Sequence, residues 1–207
     1  GLQSTGKSYM AAQIAAEAQK KDIFVIYFDS ESAIDPEFLV KAGCDLSKLL
    51  YVQARSVEFV LETIETVIGE HEGRVLFILD SLAFTPAISD LEGDYDPNST
   101  VAVKPRVLAK GLQKLLLPIA NAEATFLVLN QLKTNIGVRN AKYASDSELY
   151  NTPGGKALNY AYSLRIWLTG RTAKASFVED DKGFRVGSTV KARLEKSRFG
   201  SQYRRCF

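Results

Sequence analysis

The sequence predicts an α/β fold in which a mostly parallel central sheet is flanked by helices and followed by a C-terminal β-hairpin extension. Segments with apolar residues at helical spacing alternate with short, almost continuous apolar runs rich in β-branched and aromatic residues. Such runs are typical of strands that are buried on both faces of a parallel sheet. The chain has 207 residues, 46% of them hydrophobic, and we therefore predict a single domain over residues 1–207.

The first half of the chain predicts three helices and two strands. Apolar residues at helical spacing continue to residue 18, and residues 23–28 form the first apolar run. Asp35-Pro36 predicts the start of a short helix, because proline is favoured at the first helical position. Ser56 predicts the start of a longer helix that Gly69 or Gly73 ends, and residues 75–79 predict the second strand.

The second half of the chain contains two long loops. Residues 85–100 predict an irregular, acidic loop, and the helix that follows is bent or ended by Pro118. Residues 125–129 predict the third strand, and the second long loop covers residues 132–153. Loops of this length are uncommon in compact domains unless they are functional or disordered, so both are candidate binding segments.

The C-terminal part predicts a short helix opened by Gly154-Gly155, a fourth strand and a β-hairpin. The fourth strand covers residues 164–168, and the hairpin strands cover residues 177–178 and 185–194. Residues 181–183, Asp-Lys-Gly, predict the hairpin turn. This hairpin is the predicted C-terminal extension of the fold.

The first eight residues match the phosphate-loop pattern G-x-x-x-x-G-K-[ST] at every fixed position. Its glycines allow the backbone N–H groups to turn towards a polyphosphate. Lys7 can reach the β- and γ-phosphates, and the hydroxyl of Ser8 can bind Mg²⁺ beside a helix N-terminus. The predicted nucleotide-binding residues of this segment are Gly1, Gln3, Ser4, Thr5, Gly6, Lys7 and Ser8.

A tight turn into a surface helix is the alternative interpretation of these eight residues. A phosphate loop normally follows a β-strand, whereas Gly1 is the first residue of the sequence. We therefore expect the strand before the loop to be absent from this chain.

Three predicted strands end in polar residues that should meet at the phosphate loop, because ligands of parallel sheets bind at the carboxyl ends of the strands. Asp80 follows Val-Leu-Phe-Ile-Leu, the pattern of a strand-end carboxylate that holds Mg²⁺; its alternative is to cap a loop. Glu31 is the candidate general base for the attacking water, with a surface acid as its alternative. Gln131 is placed to hydrogen-bond the γ-phosphate and to bias the adjoining loop.

Composition excludes several classes of site. The chain has one histidine, His71, which argues against a His-based metal site or triad, and its two cysteines, Cys44 and Cys206, lack metal-ligand spacing and predict free thiols. No apolar run approaches the ~20 residues that cross a bilayer, so no membrane partner is predicted. Residues 165–207 contain eleven Lys or Arg against four Asp or Glu, which favours an anionic partner over a merely solvated basic face.

Four ordered motifs resemble the RecA recombinase core. After the phosphate loop come Asp-Ser-Glu-Ser-Ala-Ile-Asp-Pro at residues 29–36, Leu-Asp-Ser at 79–81, Asn-Gln-Leu-Lys-x-x-Ile-Gly at 130–137 and Gly-Gly-Lys-Ala-Leu at 154–158. Phe-Asp-Ser-Glu and the tail Leu-Glu-Lys-Ser-Arg are most similar to the bacteriophage UvsX branch. The resemblance covers roughly residues 1–198. P-loop kinases and GTPases do not share the motifs at residues 130–137 and 154–158.

The resemblance implies an ATP- and Mg²⁺-dependent, single-stranded-DNA-binding ATPase that self-associates into a helical filament and promotes strand exchange. Asp35 and Phe38 would contact adenine, and Lys196 and Arg198 would reach the ATP of a neighbouring subunit. Residues 85–100 and 132–153 would face DNA, although the acidity of the first loop suits a phosphate backbone poorly. The implied DNA-binding residues are Lys133, Arg139, Lys142, Tyr143, Gly154 and Gly155, with Tyr143 and Tyr150 as stacking groups.

Two other functions remain open from the sequence: a hexameric helicase or motor of the same fold, and a nucleotide-binding paralogue that does not hydrolyse ATP. The family's N-terminal polymerisation segment is expected to be absent, so this chain is expected to be a truncated core that can be inactive by itself. The resemblance implies a cytoplasmic location, which is the host cytoplasm if the protein is phage-encoded.

Overall fold

The computed structural model describes residues 1–32, 34–93, 103–135, 149–170 and 176–200, and the backbone of a short strand at residues 205–206. The chain forms two compact units. The larger unit contains Ser8–Asn130 and Pro153–Ala161, and the smaller contains Gly1–Lys7, Gln131–Thr152 and Tyr162–Phe207. The grouping of residues 1–207 into a single functional domain stays a prediction.

A four-stranded parallel sheet forms the centre of the larger unit. Its strands are β1 (Phe24–Asp29), β2 (Leu49–Gln53), β3 (Val75–Asp80) and β4 (Thr125–Val128), in the order β2-β1-β3-β4. All three neighbouring pairs run parallel. This sheet, with helices around it, confirms the predicted α/β fold class.

Within the described residues, six helices accompany the sheet strands. One of them begins directly after Ser56, as the sequence predicts. The side chain of Ser56 accepts a hydrogen bond from the backbone N–H of Phe59 at 3.1 Å. A 3₁₀ turn covers Leu46–Lys48. The helices are α1 (Lys7–Gln19), α2 (Pro36–Lys41), α3 (Val57–Glu70), α4 (Ile88–Glu92), α5 (Val103–Asn121) and α6 (Lys156–Ala161).

The core of the larger unit lies against the two central strands. Every residue of β3 is buried, and so are the last five residues of β1. Small alanines on α1 allow that helix to approach the strands closely, and the side chain of Leu39 from α2 completes the same cluster. Burial of this apolar surface holds the carboxyl ends of β1 and β3 in place.

The smaller unit is built from antiparallel pairs. β7 (Leu164–Gly170) pairs with β10 (Val190–Ser197), and β10 pairs with β11 (Arg205–Cys206). β5 (Lys133–Thr134) pairs with β6 (Tyr150–Asn151), and β8 (Phe177–Glu179) pairs with β9 (Arg185–Ser188).

The predicted C-terminal hairpin is present as β8 and β9, but the predicted strand over residues 185–194 is wrong in extent. It divides near Thr189, whose backbone N–H donates to the carbonyl of Ser176 at 2.8 Å. The residues before this point pair with β8, and those after it pair with β7. Alternation of side chains continues across Thr189, so the sequence pattern contains no signal for the division.

Four other local features also differ from the sequence-based expectations. The predicted irregular loop at residues 85–100 contains the short helix α4, where the backbone N–H of Ala87 donates to Asp90 Oδ2 at 2.9 Å. Helix α5 continues past Pro118 to Asn121, so the proline does not end it. The loop at residues 132–153 begins and ends in the β5–β6 pair, and the edge strand β2 had no counterpart in the prediction.

The described helices include none that combines the length and apolar character needed to cross a membrane. His71 caps the C-terminal end of α3 and is exposed, with its ring 5.1 Å from that of Phe24. The thiol of Cys44 is free and buried, and donates to the carbonyl of Ala12 at 3.2 Å. Cys206 lies in β11, where side chains fall outside the described structure.

Candidate functional site

The acidic ends of β1 and β3 lie side by side. Asp29 and Asp80 are register partners in the parallel pair, and the backbone N–H of Ser30 donates to the carbonyl of Asp80 at 2.8 Å. Both aspartates are buried, at 1% and 7% relative exposure. Two carboxylates taken out of water at one strand edge need hydrogen-bond donors or a cation beside them.

A pocket of about 180 Å³ opens at this edge within the larger unit. Its volume falls below the roughly 300–1,000 Å³ of typical small-molecule sites, so it accommodates part of a nucleotide rather than all of one. Four of its residues, Ser8, Glu31, Phe38 and Asp80, are predicted site residues, and the sequence analysis assigned no role to the other two. The lining residues are Ser8, Asp29, Glu31, Ile34, Phe38 and Asp80.

Asp80 combines burial with two hydroxyl partners. Burial raises the pKa of its carboxyl, hydrogen bonds from Ser8 and Tyr27 lower it, and the charges of Glu31 and Asp29 raise it, with a net upward shift. The phenol of Tyr27 donates to Asp80 Oδ2 at 2.9 Å. A hard divalent cation at this point would offset the clustered negative charge.

The oxygen donors here fit Mg²⁺. Ser8 and Asp80 supply a hydroxyl and a carboxylate that already contact each other. Among the described residues, no group of three or more His, Cys, Asp and Glu side chains forms a complete metal cage. Mg²⁺ is commonly held by one or two protein oxygens together with water and substrate phosphates, so such a cage is not required.

Glu31 is exposed, and a network of serine hydroxyls holds its carboxylate. Ser81 Oγ donates to Glu31 Oε1 at 2.9 Å. Ser30 Oγ in turn donates to the carbonyl of Ser81 at 2.9 Å and accepts from its backbone N–H at 2.9 Å. The Asp80–Ser81 peptide bond is cis. The geometry therefore presents a carboxylate that is anchored by neutral donors and open to solvent.

Asp29 organises the turn that carries Glu31. Its Oδ1 accepts from the backbone N–H of Glu31 at 2.9 Å, and its Oδ2 accepts from the backbone N–H of Ile34 at 3.1 Å. Oδ2 also accepts from the phenol of Tyr51 at 2.7 Å. No role was predicted for Asp29, although its place two residues before Glu31 at a strand end was an available signal.

The predicted adenine-contacting residues lie on and before α2. Asp35 caps this helix by accepting from the backbone N–H of Glu37 at 2.9 Å, as its place before Pro36 predicts. Phe38 is half-buried and lines the pocket, with the ring of Tyr9 edge-on at 6.1 Å between centroids. An aromatic face at a pocket wall is suited to stack on a planar base.

The phosphate loop is compact within the smaller unit. Lys7 Nζ donates to the carbonyl of Leu2 at 2.7 Å, and Thr5 Oγ1 donates to the same carbonyl at 2.8 Å. Gly6 has a φ of +74°, a conformation that glycine adopts without strain. Gln3, Ser4 and Gly6 are exposed, and Thr5 is buried.

Gly1 lies against β7. Its neighbour Leu2 donates a backbone hydrogen bond to the carbonyl of Leu168 at 3.1 Å. A Cβ at Gly1 would lie 2.5 Å from that same carbonyl oxygen, so the close approach requires glycine. Lys7 then begins α1, and Ser8 follows it.

The remaining described candidates of the smaller unit are Gln131, Lys133, Lys196 and Arg198. Gln131 is half-buried and precedes Leu132, whose backbone N–H donates to the carbonyl of Gly1 at 3.0 Å, while Lys133 is exposed. Burial, and then the charges of Arg198 and Arg165, lower the pKa of Lys196 at the end of β10. Arg198 is exposed.

The predicted DNA-binding residues are only partly described. Gly154 and Gly155 precede α6 in the larger unit with φ values of +106° and +80°. Tyr150 packs edge-on against Trp167, with 6.3 Å between ring centroids. Arg139, Lys142 and Tyr143 lie outside the described residues.

Comparisons with known proteins agree on one family. The model of the RecA N-terminal domain matches residues 1–206. The chain is 31% identical over 204 residues to Protein RecA of Chlorobium limicola, covering 99% of this chain and 55% of that protein. It is 30% identical over 204 residues to Protein RecA of Rhodopirellula baltica, covering 99% and 51%.

A third relative is Protein RecA of Streptococcus sanguinis, with 28% identity over 208 residues that cover 100% of this chain and 52% of that protein. The chain thus spans about half the length of these relatives.

Proposed function

The chain belongs to the RecA N-terminal domain family, and from this membership we propose that it is an ATP-dependent homologous-recombination protein. It binds single-stranded DNA as a filament and promotes strand exchange with ATP hydrolysis. The observation that supports this proposal best is the pocket where Ser8, Glu31 and Asp80 meet at the carboxyl edge of the parallel sheet. A hydroxyl and a buried carboxylate beside an anchored, exposed carboxylate suit water-dependent phosphoryl transfer.

The nucleotide roles follow from the residue types. The backbone N–H groups of residues 1–6 and the ammonium of Lys7 bind the phosphates, while Ser8 and Asp80 hold Mg²⁺. When bound, the metal neutralises charge that develops on the phosphate oxygens. Glu31 accepts a proton from the attacking water, and Gln131 hydrogen-bonds the γ-phosphate. Asp35 and Phe38 contact the adenine.

The proposed DNA-binding residues lie in and beside the second long loop. Lys133, Arg139 and Lys142 neutralise backbone phosphates, and Tyr143 supplies a stacking surface. Gly154 and Gly155 close the loop near the DNA. Lys196 and Arg198 reach the ATP of the next subunit, so the filament contact and the ATP site depend on each other.

ATP turnover measured with and without single-stranded DNA tests the proposal. We expect DNA to stimulate phosphate release in the parent protein, and Glu31→Gln to lower it by about 10²–10⁴-fold, the usual contribution of a general base. ATP binding should persist in this variant, because glutamine keeps the shape of the side chain. Glu62→Gln, at an exposed glutamate of α3, is the matched control and should turn over ATP at the parental rate.

Two results would contradict the proposal. Turnover by Glu31→Gln at the rate of the Glu62→Gln control would exclude Glu31 as the base. Absence of both nucleotide binding and DNA stimulation in the parent protein would exclude a DNA-dependent ATPase.

A further inference from the structure

Two tyrosines and two aspartates form a regular pattern on one face of the parallel sheet. Tyr27 and Tyr51 are register partners on β1 and β2, and Asp29 and Asp80 are register partners on β1 and β3. Tyr27 and Asp29 are two residues apart on the same strand, so their side chains share a face. On β1 the tyrosine thus lies two residues before the aspartate, on the same face of the sheet.

Each tyrosine donates diagonally to the aspartate of the adjacent strand. The phenol of Tyr27 donates to Asp80 Oδ2 at 2.9 Å, and the phenol of Tyr51 donates to Asp29 Oδ2 at 2.7 Å. The same geometry therefore occurs twice, once from β1 to β3 and once from β2 to β1. A hydrogen bond repeated in this way fixes the rotamers of both carboxylates.

The hydroxyl groups have no packing advantage in these positions. Tyr27 is fully buried at 0% relative exposure, within a strand whose other central residues are apolar. A buried hydroxyl carries a desolvation penalty unless it is hydrogen-bonded, so phenylalanine would satisfy packing alone.

Both phenols remain protonated donors near neutral pH. Burial, and then the charge of Asp80, raise the pKa of Tyr27. Burial, and then its hydrogen bond to Asp29, raise the pKa of Tyr51 to about 12.

We propose that Tyr27 and Tyr51 are positioning residues of the candidate nucleotide site, with separate tasks. Tyr27 holds Asp80 Oδ2 in the interior and so directs the rest of that carboxylate towards Ser8 and the pocket. Tyr51 holds Asp29, whose two oxygens fix the backbone N–H groups of Glu31 and Ile34. The inference rests on the proposed function, because it assigns the first tyrosine to metal binding and the second to placement of the base.

The first experiment measures binding of a fluorescent ATP analogue to Tyr27→Phe in EDTA and across a Mg²⁺ titration. Mg²⁺ should increase the affinity for the analogue. We expect the Mg²⁺ concentration that gives half of this increase to rise by about 10–100-fold, the usual effect of losing a hydrogen-bond partner of a metal ligand. Affinity in EDTA should stay at the parental value, because the phosphate loop is untouched. Tyr160→Phe, at an exposed tyrosine of α6, is the matched control.

The second experiment measures steady-state ATP turnover by Tyr51→Phe. Tyr51 is 44% exposed on the edge strand, so its variant should fold even if Tyr27→Phe does not. We expect kcat to fall by about tenfold, because a general base loses efficiency when its loop is displaced. KM and the Mg²⁺ dependence should match those of Tyr160→Phe. General destabilisation would not lower kcat while leaving both of these unchanged.

The outcomes separate the two proposals. If the parent protein responds to Mg²⁺ and Tyr27→Phe and Tyr51→Phe both behave as Tyr160→Phe does, the positioning role is overturned while the proposed function stands. If both variants bind the ATP analogue more weakly, and by the same factor in EDTA and in Mg²⁺, the tyrosines are structural and the inference is also overturned. If the parent protein shows no Mg²⁺-dependent nucleotide binding, the proposed function fails and this inference fails with it.

Discussion

Within the part of the chain that the structure describes, the carboxylate of Glu31 is anchored by a hydroxyl group rather than by a cation. Ser81 Oγ donates to Glu31 Oε1 at 2.9 Å, and the backbone N–H of Glu31 donates to Asp29. A neutral donor orients a carboxylate without placing a positive charge beside it. The arrangement therefore suits a residue that must both hold a position and accept a proton.

Replacing Ser81 with alanine tests whether this anchor matters. We expect Ser81→Ala to lower kcat for ATP by about 10–100-fold, because small misplacement of a reacting group carries penalties of this size. Nucleotide affinity should change little. The measurements are phosphate release and analogue binding, with Ser47→Ala, a serine in the 3₁₀ turn, as the control. A parental kcat in Ser81→Ala would show that the hydroxyl does not position Glu31.

Individual site residues differ in how far a sequence can indicate them. Ser8 and Asp80 occur in contiguous motifs, and both line the pocket that Glu31 also lines. The sequence indicated no role for Tyr27 or Ser81, because their partners are far away in the chain. Tyr27 and Asp80 are 53 positions apart, and only the register of β1 on β3 brings them together.

Helices were easier to predict than strands, and α3 shows why. Ser56 supplies a side-chain cap, and the buried residues Val57, Val60 and Ile64 recur at helical spacing. Gly69 was an open candidate for the stop, yet the helix continues through it to Glu70. A helical glycine costs only about 1 kcal/mol, whereas each buried aliphatic side chain contributes roughly 1.5–3 kcal/mol.

Edge strands carried weaker signals. Among the described strands β2 pairs only with β1, and Leu50 and Tyr51 remain exposed at 46% and 44%. Its five residues follow a 3₁₀ turn directly, so neither length nor alternation separates them from a loop. The division near Thr189 depends on which neighbouring strand is available, which is information that a single strand does not contain.

Gly154 and Gly69 should respond to alanine in opposite directions. At Gly154 the φ is +106° and a new Cβ would lie 2.3 Å from Leu158 Cδ1, so we expect Gly154→Ala to destabilise the protein by roughly 1–3 kcal/mol. At Gly69 nothing lies within 4 Å of the new Cβ and the residue is helical, so Gly69→Ala should stabilise by roughly 0.4–1 kcal/mol.

Denaturant unfolding followed by circular dichroism measures both effects. Gly183→Ala separates strain from crowding, since its φ is +80° but nothing lies within 4 Å of the added Cβ. We expect it to destabilise less than Gly154→Ala. Equal losses at Gly154 and Gly183 would mean that contact with Leu158 adds nothing to the backbone strain.

Chain order does not predict which segments pack together in the complete fold. The phosphate loop, at the start of the sequence, belongs to the same compact unit as residues 131–152 and 162–207. Two backbone hydrogen bonds connect these segments, one from Leu2 to Leu168 and one from Leu132 to Gly1. Motif order could indicate the family, but these long-range pairings required the structure.

The role that we propose for Lys196 and Arg198 at a subunit contact is one that mixing experiments can isolate. In a head-to-tail assembly, one subunit supplies the nucleotide pocket and the next supplies these cations, so a complete site needs two different chains. Lys7→Ala removes phosphate binding but keeps both cations. The double variant Lys196→Ala/Arg198→Ala keeps the pocket and loses the cations, and we expect each protein alone to have little DNA-dependent turnover.

An equal mixture of the two variants should regain activity. Random head-to-tail assembly pairs an intact pocket with intact cations at about a quarter of the interfaces, so turnover should reach about a quarter of the parental rate. The measurement is phosphate release on single-stranded DNA, with electron microscopy to distinguish filaments from the closed rings of a hexameric motor. Lys182→Ala, in the exposed turn of the β8–β9 hairpin, replaces the double variant as a control and should be fully active alone. A mixture no more active than its components would contradict the proposal that these two cations reach the ATP of a neighbouring subunit.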